Sequence, residues 1–509
     1  MIRSLLAGPA AGTGSDRTWG GIRTATTWGA AVGMISAACL ALTAGLVDLT
    51  AGGGDTPVLL MAGGLAGVAS SLLVARVNRP DRIRPSEVLS GATTALVSMV
   101  LCVAGLYLLT GAAGQPDDAL FEATSGVTTT ALSVLDPNSL GRGLLLVRAG
   151  SQWFGGLGAL VLAVVILPFQ GSGGEFADRS GRDGRIPLAP NQRVALRNIF
   201  ALYVPLSLVI WLAYNLAGSG WFDSLLLAMA TVSTGGFTGP GNLLADGETR
   251  WVAVVGMILS GTSIVVLWRL VGGRGRGLLR SRELRSYLSI LIVATGLFLA
   301  WSGPVDGVDL REALFTVSSA ITTTGFPSDP MGEWSAALPV LLLLLVAIGP
   351  MTGSAGGGFQ ILRLRILLNV AIREMVRQLH PRVVARVRLG GRVAAESTVR
   401  QATVVQFVFV AILFTTALVV ATLGLDMAAA LSASVHAVST AGPVRALDGS
   451  ILDPSGWSRP ARLALLPAMV SGRLFLYPAA VAGGTLLIEL GNQLRLRRRW
   501  RRWRARGTR

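Results

Sequence analysis

Apolar runs of about 20 residues recur along the chain between short polar stretches, and each is read as a helix. They fall at Trp28–Val47, Val88–Thr110, Trp251–Leu267 and Gln401–Leu423, with a shorter run at Gly158–Leu167 that follows a glycine-rich turn. At 1.5 Å rise per residue, about 20 helical residues cover a hydrocarbon core of roughly 30 Å. Between these runs lie short, weakly polar segments that cannot cross a bilayer. Such a segment enters and leaves on one face, so its non-helical backbone must be buried in protein or line water.

Four times an apolar run is followed by one short segment, a hydroxyl- and glycine-rich stretch, and another apolar run. The stretches begin at Val127, Val232, Ile321 and Val438. They continue as Thr128, Thr129, Thr130, Ala131; Ser233, Thr234, Gly235, Gly236; Thr322, Thr323, Thr324, Gly325; and Ser439, Thr440, Ala441, Gly442. Asp118, Asp223 and Glu312 hold one common position upstream of these stretches, and Asp309 and Asp426 another. An acid there is expected to cap the start of the short helix. A single cluster of this kind fits a helix-packing seam equally well. Four in one register do not.

The pattern points to cation chemistry. A cation stripped of water needs replacement oxygens, and successive backbone carbonyls with threonine hydroxyls supply them. Each short helix aims its carbonyl end, with its partial negative charge, at the centre. Glycine at the bend permits positive φ and lets carbonyls face inward. The cation is expected at Thr129, Thr130, Thr234, Gly235, Thr323, Thr324, Thr440 and Ala441, with no covalently bound cofactor.

Composition agrees: 51% of the 509 residues are apolar and 14% charged, and the mean hydropathy is +0.60. The formal charge of +17 raises nucleic acid as a partner. Its distribution removes that reading, because arginines crowd alternate loops while acids gather in the loops between, as the positive-inside rule requires. The basic tail from Arg495 is expected to touch anionic lipid headgroups. Cys39 and Cys102 lie inside separate apolar runs and read as small buried hydrophobes. His436 is assigned to packing, and His380 to a solvated loop. A membrane-embedded enzyme would need a nucleophile–base pair or a metal cluster, which two distant histidines do not provide. An ion-coupled secondary transporter would place carboxylates near the midplane, whereas the acids are read at loops and short-helix starts.

With these motifs in view the chain resembles the Trk/Ktr/HKT superfamily of cation transporters, specifically the TrkH-type membrane subunit of potassium uptake systems. The resemblance spans roughly 28–491. It includes the run Arg148-Ala-Gly-Ser-Gln-Trp-Phe-Gly-Gly-Leu-Gly158, the break Ile348-Gly-Pro-Met-Thr-Gly-Ser-Ala-Gly-Gly-Gly358, and Gly472-Arg473-Leu474. It implies an all-α membrane protein with four pseudo-repeated helix–pore helix–helix units around one central pore, preceded by two extra transmembrane helices at about 28–47 and 57–75. It also implies a homodimer in a bacterial inner membrane, both termini cytosolic, gated by a cytosolic nucleotide-binding RCK-type subunit (TrkA/KtrA-like). The expected division is 1–87 for the N-terminal segment and extra helices, 88–170, 171–271 and 272–371 for three pore repeats, 372–400 for a basic cytosolic loop, 401–491 for the fourth repeat, and 492–509 for the tail.

Gly349, Thr352, Gly353, Ser354, Gly356, Gly357 and Gly358 are read as a gate, since a helix so rich in glycine with Pro350 cannot keep its backbone bonds at membrane depth. Arg473, a charge in an apolar helix, is expected below the filter as an electrostatic barrier. Arg148 is expected to cap pore-helix carbonyls. Three positions depart from the family pattern: Ala131 replaces glycine, Gln360 replaces lysine, and Val444 replaces a second glycine. A left-handed alanine costs about 1–2 kcal/mol, so the first quadrant is expected to present its carbonyl differently. A serine there accompanies sodium preference in plant relatives, so a sodium-permeable transporter is the alternative reading to potassium uptake.

Overall fold

A computed structural model describes residues 15–76, 85–166, 192–241, 243–244, 247–273, 281–302, 309–327, 335, 337–383, 386–389, 392–443, 446–447, 449–450 and 452–474. The basic tail and Val444 lie outside these. The protein is an all-α membrane protein. Two residue pairs, Arg388–Leu389 (β1) and Arg392–Val393 (β2), form a short antiparallel ladder.

Two helices, α1 (Ser15–Thr50) and α2 (Thr56–Ala75), pack on each other as a hairpin ahead of the rest. Then one order recurs four times. The first unit is α3 (Pro85–Leu109), the short α4 (Pro116–Val127) and α5 (Arg142–Ile166). The second is α6 (Gln192–Leu216), α7 (Trp221–Val232), and α8 (Gly247–Ser260) with α9 (Ile264–Val271). The third is α10 (Arg282–Trp301), α11 (Leu310–Ile321), and α12 (Ala337–Ile348) with α13 (Ile361–Leu379). The fourth is α14 (Glu396–Thr422), α15 (Met427–Ser439) and α16 (Arg459–Arg473).

Seven described helices are long and apolar enough to cross a membrane. Their outward faces carry large exposed apolar side chains, among them Leu46, Leu65, Val209, Phe407 and Leu418, as expected of surfaces whose solvent is lipid. The short helices α4, α7, α11 and α15 have the opposite character and bury most of their residues in the interior.

Three sequence expectations need correction. Gly155, Gly156 and Gly158 form no turn; they lie inside the continuous α5. Glycine there serves close approach, because a Cβ on Gly156 would stand 2.8 Å from the Ser233 Cα. Trp251–Leu267 is not one span: α8 and α9 meet at a 105° bend. The freed groups at that elbow are satisfied by the glycine-rich break of the third unit, with Met351 N donating to Gly261 O (3.1 Å) and Ile264 N to Gly353 O (2.9 Å). The acids in common register also divide. Asp309 caps α11 through Glu312 N, and Asp426 caps α15 through Ala428 N and Ala429 N. Asp118, Asp223 and Glu312 lie within the first turn of their helices, and Gln115 and Gly220 hold the cap positions of α4 and α7.

Candidate functional site

Each short helix runs straight into its hydroxyl-rich stretch, and the backbone there follows one plan. Thr129, Thr234, Thr323 and Thr440 all take positive φ, between 47° and 59°. This left-handed conformation is uncommon for a β-branched residue. The turn is fixed by amides folding back on the helix end, for example Thr129 N to Gly126 O (2.9 Å), Thr234 N to Thr231 O (3.2 Å) and Thr323 N to Ala320 O (3.1 Å). All four threonines are fully buried. Two residues on, Ala131 (φ 53°), Gly236 (81°) and Gly325 (74°) turn left-handed again. Ala131 thus takes the left-handed φ expected of an alanine standing at the glycine position. Gly442 is the residue outside this region, so the irregular segment is the fourth.

The stretches lie against one another. A Cβ on Gly236 would overlap Thr324 O, and one on Gly325 would overlap the Gly442 backbone. A Cβ on Gly442 would stand 2.7 Å from Thr324 O. Glycine is required at these positions by backbone proximity as well as by φ. The first and second stretches are joined by side chains instead. Gln152 Nε2 donates to Gly235 O at 2.8 Å, and its Oε1 accepts from Phe237 N at 3.2 Å. The fourth unit closes on the first through Arg462, which pairs with Asp117 and Asp118.

Arg148 does not cap a pore helix. Its Nε donates to Glu122 Oε1 (2.9 Å), Nη2 to Ser133 Oγ (2.8 Å) and Nη1 to Thr238 O (3.3 Å), with its guanidinium 4.1 Å from the Phe237 ring centroid. Glu122, fully buried within α4, also accepts from Val134 N and Ser133 Oγ. The sequence reading assigned acids to loops and helix starts and so overlooked Glu122. A carboxylate in the middle of a short, otherwise weakly polar segment, with an arginine in the next apolar run, was the available signal.

The expected gate residues form a closed loop. Phe359 N donates to Ala347 O (2.9 Å) and Gln360 N to Ile348 O (2.8 Å), pinching its base. Gly349, Gly353 and Gly358 supply positive φ, as does Gln360 (65°) without being glycine. The loop reaches the hydroxyl-rich stretches: a Cβ on Gly356 would stand 2.8 Å from Thr322 O, and one on Gly357 2.5 Å from Thr440 Oγ1. Gly357 N donates to Thr323 Oγ1 (3.1 Å), while Ser354 Oγ returns to Met351 O (2.7 Å). Thr352 N is held by Glu283 Oε1 (2.7 Å), a second buried carboxylate that the sequence reading missed. Arg473 Nη1 donates to Ala355 O at 2.8 Å; its Nε and Nη2 have no partner among the described residues. Arg473 is buried and meets no carboxylate among the described residues. His436 Nδ1 lies 2.7 Å from Ser432 O of its own helix, and His380 is exposed.

Two hydroxyls are notable. Thr129 Oγ1 and Thr440 Oγ1 are buried with no hydrogen-bond partner among the described residues, whereas Thr234 and Thr323 donate to the carbonyl just before them. A buried polar atom without a partner carries a desolvation cost, and an ion beside it would relieve that cost. Among the described residues no group of three or more His, Cys, Asp or Glu could hold a metal.

Helices that span, short helices that do not, and buried strained threonines at the ends of the latter define a multi-pass membrane transport protein. The TrkH family model, described as a cation transport protein, matches residues 105–305 and 302–487. The chain is 31% identical over 423 residues to the Trk system potassium uptake protein TrkH of Halomonas elongata, covering 79% of this chain and 87% of that one. It is also 31% identical to the TrkH of Escherichia coli, covering 72% and 78%. The fold matches the crystal structure of the potassium transporter TrkH from Vibrio parahaemolyticus with a TM-score of 0.80, at 23% identity, covering 90% of this chain and 98% of that one. The chain belongs to the TrkH family of cation transport proteins, and it is a transporter rather than an enzyme.

Proposed function

We propose that the chain is the pore-forming subunit of a potassium uptake system, passing potassium along an axis shared by its four hydroxyl-rich stretches. The observation that carries this reading is the fourfold recurrence of a buried left-handed threonine at the end of a short helix. In this reading the oxygens at Thr129, Thr130, Thr234, Gly235, Thr323, Thr324, Thr440 and Ala441 replace water around the ion. Potassium is favoured over sodium because Ala131 shares the left-handed φ of Gly236 and Gly325. The names of the relatives, potassium uptake proteins, support the same ion.

The 349–358 loop obstructs the path beneath the filter, and Arg473 steadies it while adding positive charge. Movement of α13, which leads from the loop to the 372–400 segment, is the route by which a cytosolic RCK-type partner would open it. A homodimer in the bacterial inner membrane with cytosolic termini, and the division into four pore repeats, complete the proposal.

The test is ion flux through purified protein in lipid vesicles. A potassium-dependent current under a bi-ionic gradient, without stoichiometric proton or sodium movement, is expected. Coupled movement would overturn the channel-like mechanism, and equal sodium and potassium permeability would overturn the choice of ion.

A further inference from the structure

The four fourth-position residues of the stretches, Thr130, Gly235, Thr324 and Ala441, are not equivalent in their hydrogen bonding. Among the described residues, the carbonyls of Thr130, Thr324 and Ala441 accept no hydrogen bond from protein, but Gly235 O accepts one from Gln152 Nε2. The same glutamine accepts from Phe237 N, so one side chain grips the second stretch on both sides of Gly236. Gln152 is fully buried and lies on α5, the helix that follows the first stretch. A side chain of the first unit thereby sets the carbonyl of the second.

Residue choice fits this grip. The second stretch is the one with glycine at the fourth position, where the others carry threonine or alanine. A Cβ on Gly235 would overlap Gln152 Oε1 and stand 2.9 Å from its Cβ. Glycine there lets the glutamine in. Beside it, Arg148 ties Thr238 O, just past the second stretch, to Ser133, just past the first, and to Glu122 of α4, and packs on Phe237. Gln152 is itself fully buried, and its two bonds to main-chain groups of the second unit fix its geometry.

We infer that Gln152 is a positioning residue for ion discrimination: its amide holds the Gly235 carbonyl at a fixed distance from the axis. The inference rests on the proposed potassium pathway. A tethered oxygen cannot follow a smaller ion inward, so sodium is met by an incomplete shell while potassium is met by a full one. The carbonyl keeps its second lone pair for the ion. Released from the amide, the oxygen would close on sodium, and discrimination would fall.

The experiment uses the full chain in lipid vesicles, with two readouts: the bi-ionic potassium-to-sodium permeability ratio, and the rise in unfolding temperature given by potassium relative to sodium. The second readout reports ion preference even where flux is low. Gln152→Leu removes both bonds. Gln152→Met keeps the length of the side chain but cannot donate to Gly235 O. Gly235→Ala displaces the glutamine from the other side. Each is expected to lower the permeability ratio about tenfold, equivalent to about 1.4 kcal/mol, and to narrow the difference between the two ions' stabilisation. The Gln152→Leu/Gly235→Ala double variant is expected to be no worse than either single one, because both break one interaction. A folded variant that loses stability yet keeps the wild-type ion preference would overturn the inference and leave Gln152 a packing residue. Additive losses in the double variant would also overturn it. Wild-type protein with no preference for potassium in either readout would instead overturn the proposed function.

Discussion

A β-branched residue in the left-handed region is crowded between its own Cβ and the neighbouring carbonyl, at a cost of order 1–3 kcal/mol. This chain accepts that cost at Thr129, Thr234, Thr323 and Thr440, each within a fully buried turn that overdetermines it. The same reasoning applies to Ala131, where a left-handed φ is achieved without glycine. Because Ala131 already takes a left-handed φ, Ala131→Gly is expected to change the potassium-to-sodium permeability ratio by less than about twofold. The relieved strain, about 1 kcal/mol, is offset by glycine's greater freedom in the unfolded chain. Bi-ionic reversal potentials check this, and a severalfold rise in the ratio would show that the methyl itself perturbs the ion path. The positions Thr129, Thr234, Thr323 and Thr440 were legible in the sequence from their spacing alone. Their common backbone angle was not, because propensity argues against it and only the surrounding packing imposes it.

Elements here are joined where their helices break. The α8–α9 elbow and the 349–360 loop satisfy each other's backbone groups, and the loop in turn touches the third and fourth stretches through Thr323 and Thr440. The glycine- and proline-rich composition of Gly349–Gly358 made the second break readable in advance. The first passed unread because Gly261, Thr262 and Ser263 interrupt an apolar run too gently to stop a helix by composition. Two outcomes follow at this scale. Arg473→Ala frees Ala355 O and removes a buried charge, and is expected to raise potassium flux severalfold with unchanged selectivity, measured by ion uptake into vesicles. Unchanged or lower flux would assign Arg473 a purely structural role. Asp426→Ala removes both cap bonds at the start of α15 and is expected to cost about 1 kcal/mol. A lowered unfolding temperature with intact ion preference is the expected signature, since the cap lies far from the stretch at the other end of that helix.

At the scale of the whole molecule, the four units are bound to one another by unlike means. The first holds the second through Gln152 and Arg148, the second meets the third through the buried Arg250–Glu312 pair, and Arg462 joins the fourth to the first. Losing one partner of a buried pair leaves an uncompensated charge, at about 3–5 kcal/mol. Glu312→Gln is therefore expected to lower the thermal stability of the full chain far more than loss of the Asp426 cap. Equal effects would mean that water reaches Arg250.

What the sequence determined by itself is the solvent and the repeat. Long apolar runs can only be satisfied in lipid, and segments too short to cross must return, so hydropathy and spacing already required an all-helical membrane protein with four inward-turned stretches. What only the tertiary structure decided is which oxygens remain free. Gly235 is held by Gln152, some 83 residues away in the chain, while the Thr129 and Thr440 hydroxyls have no partner among the described residues. The physical reason is that hydropathy acts through composition, which is local, whereas a buried polar atom is satisfied or not by whatever distant group the fold brings beside it.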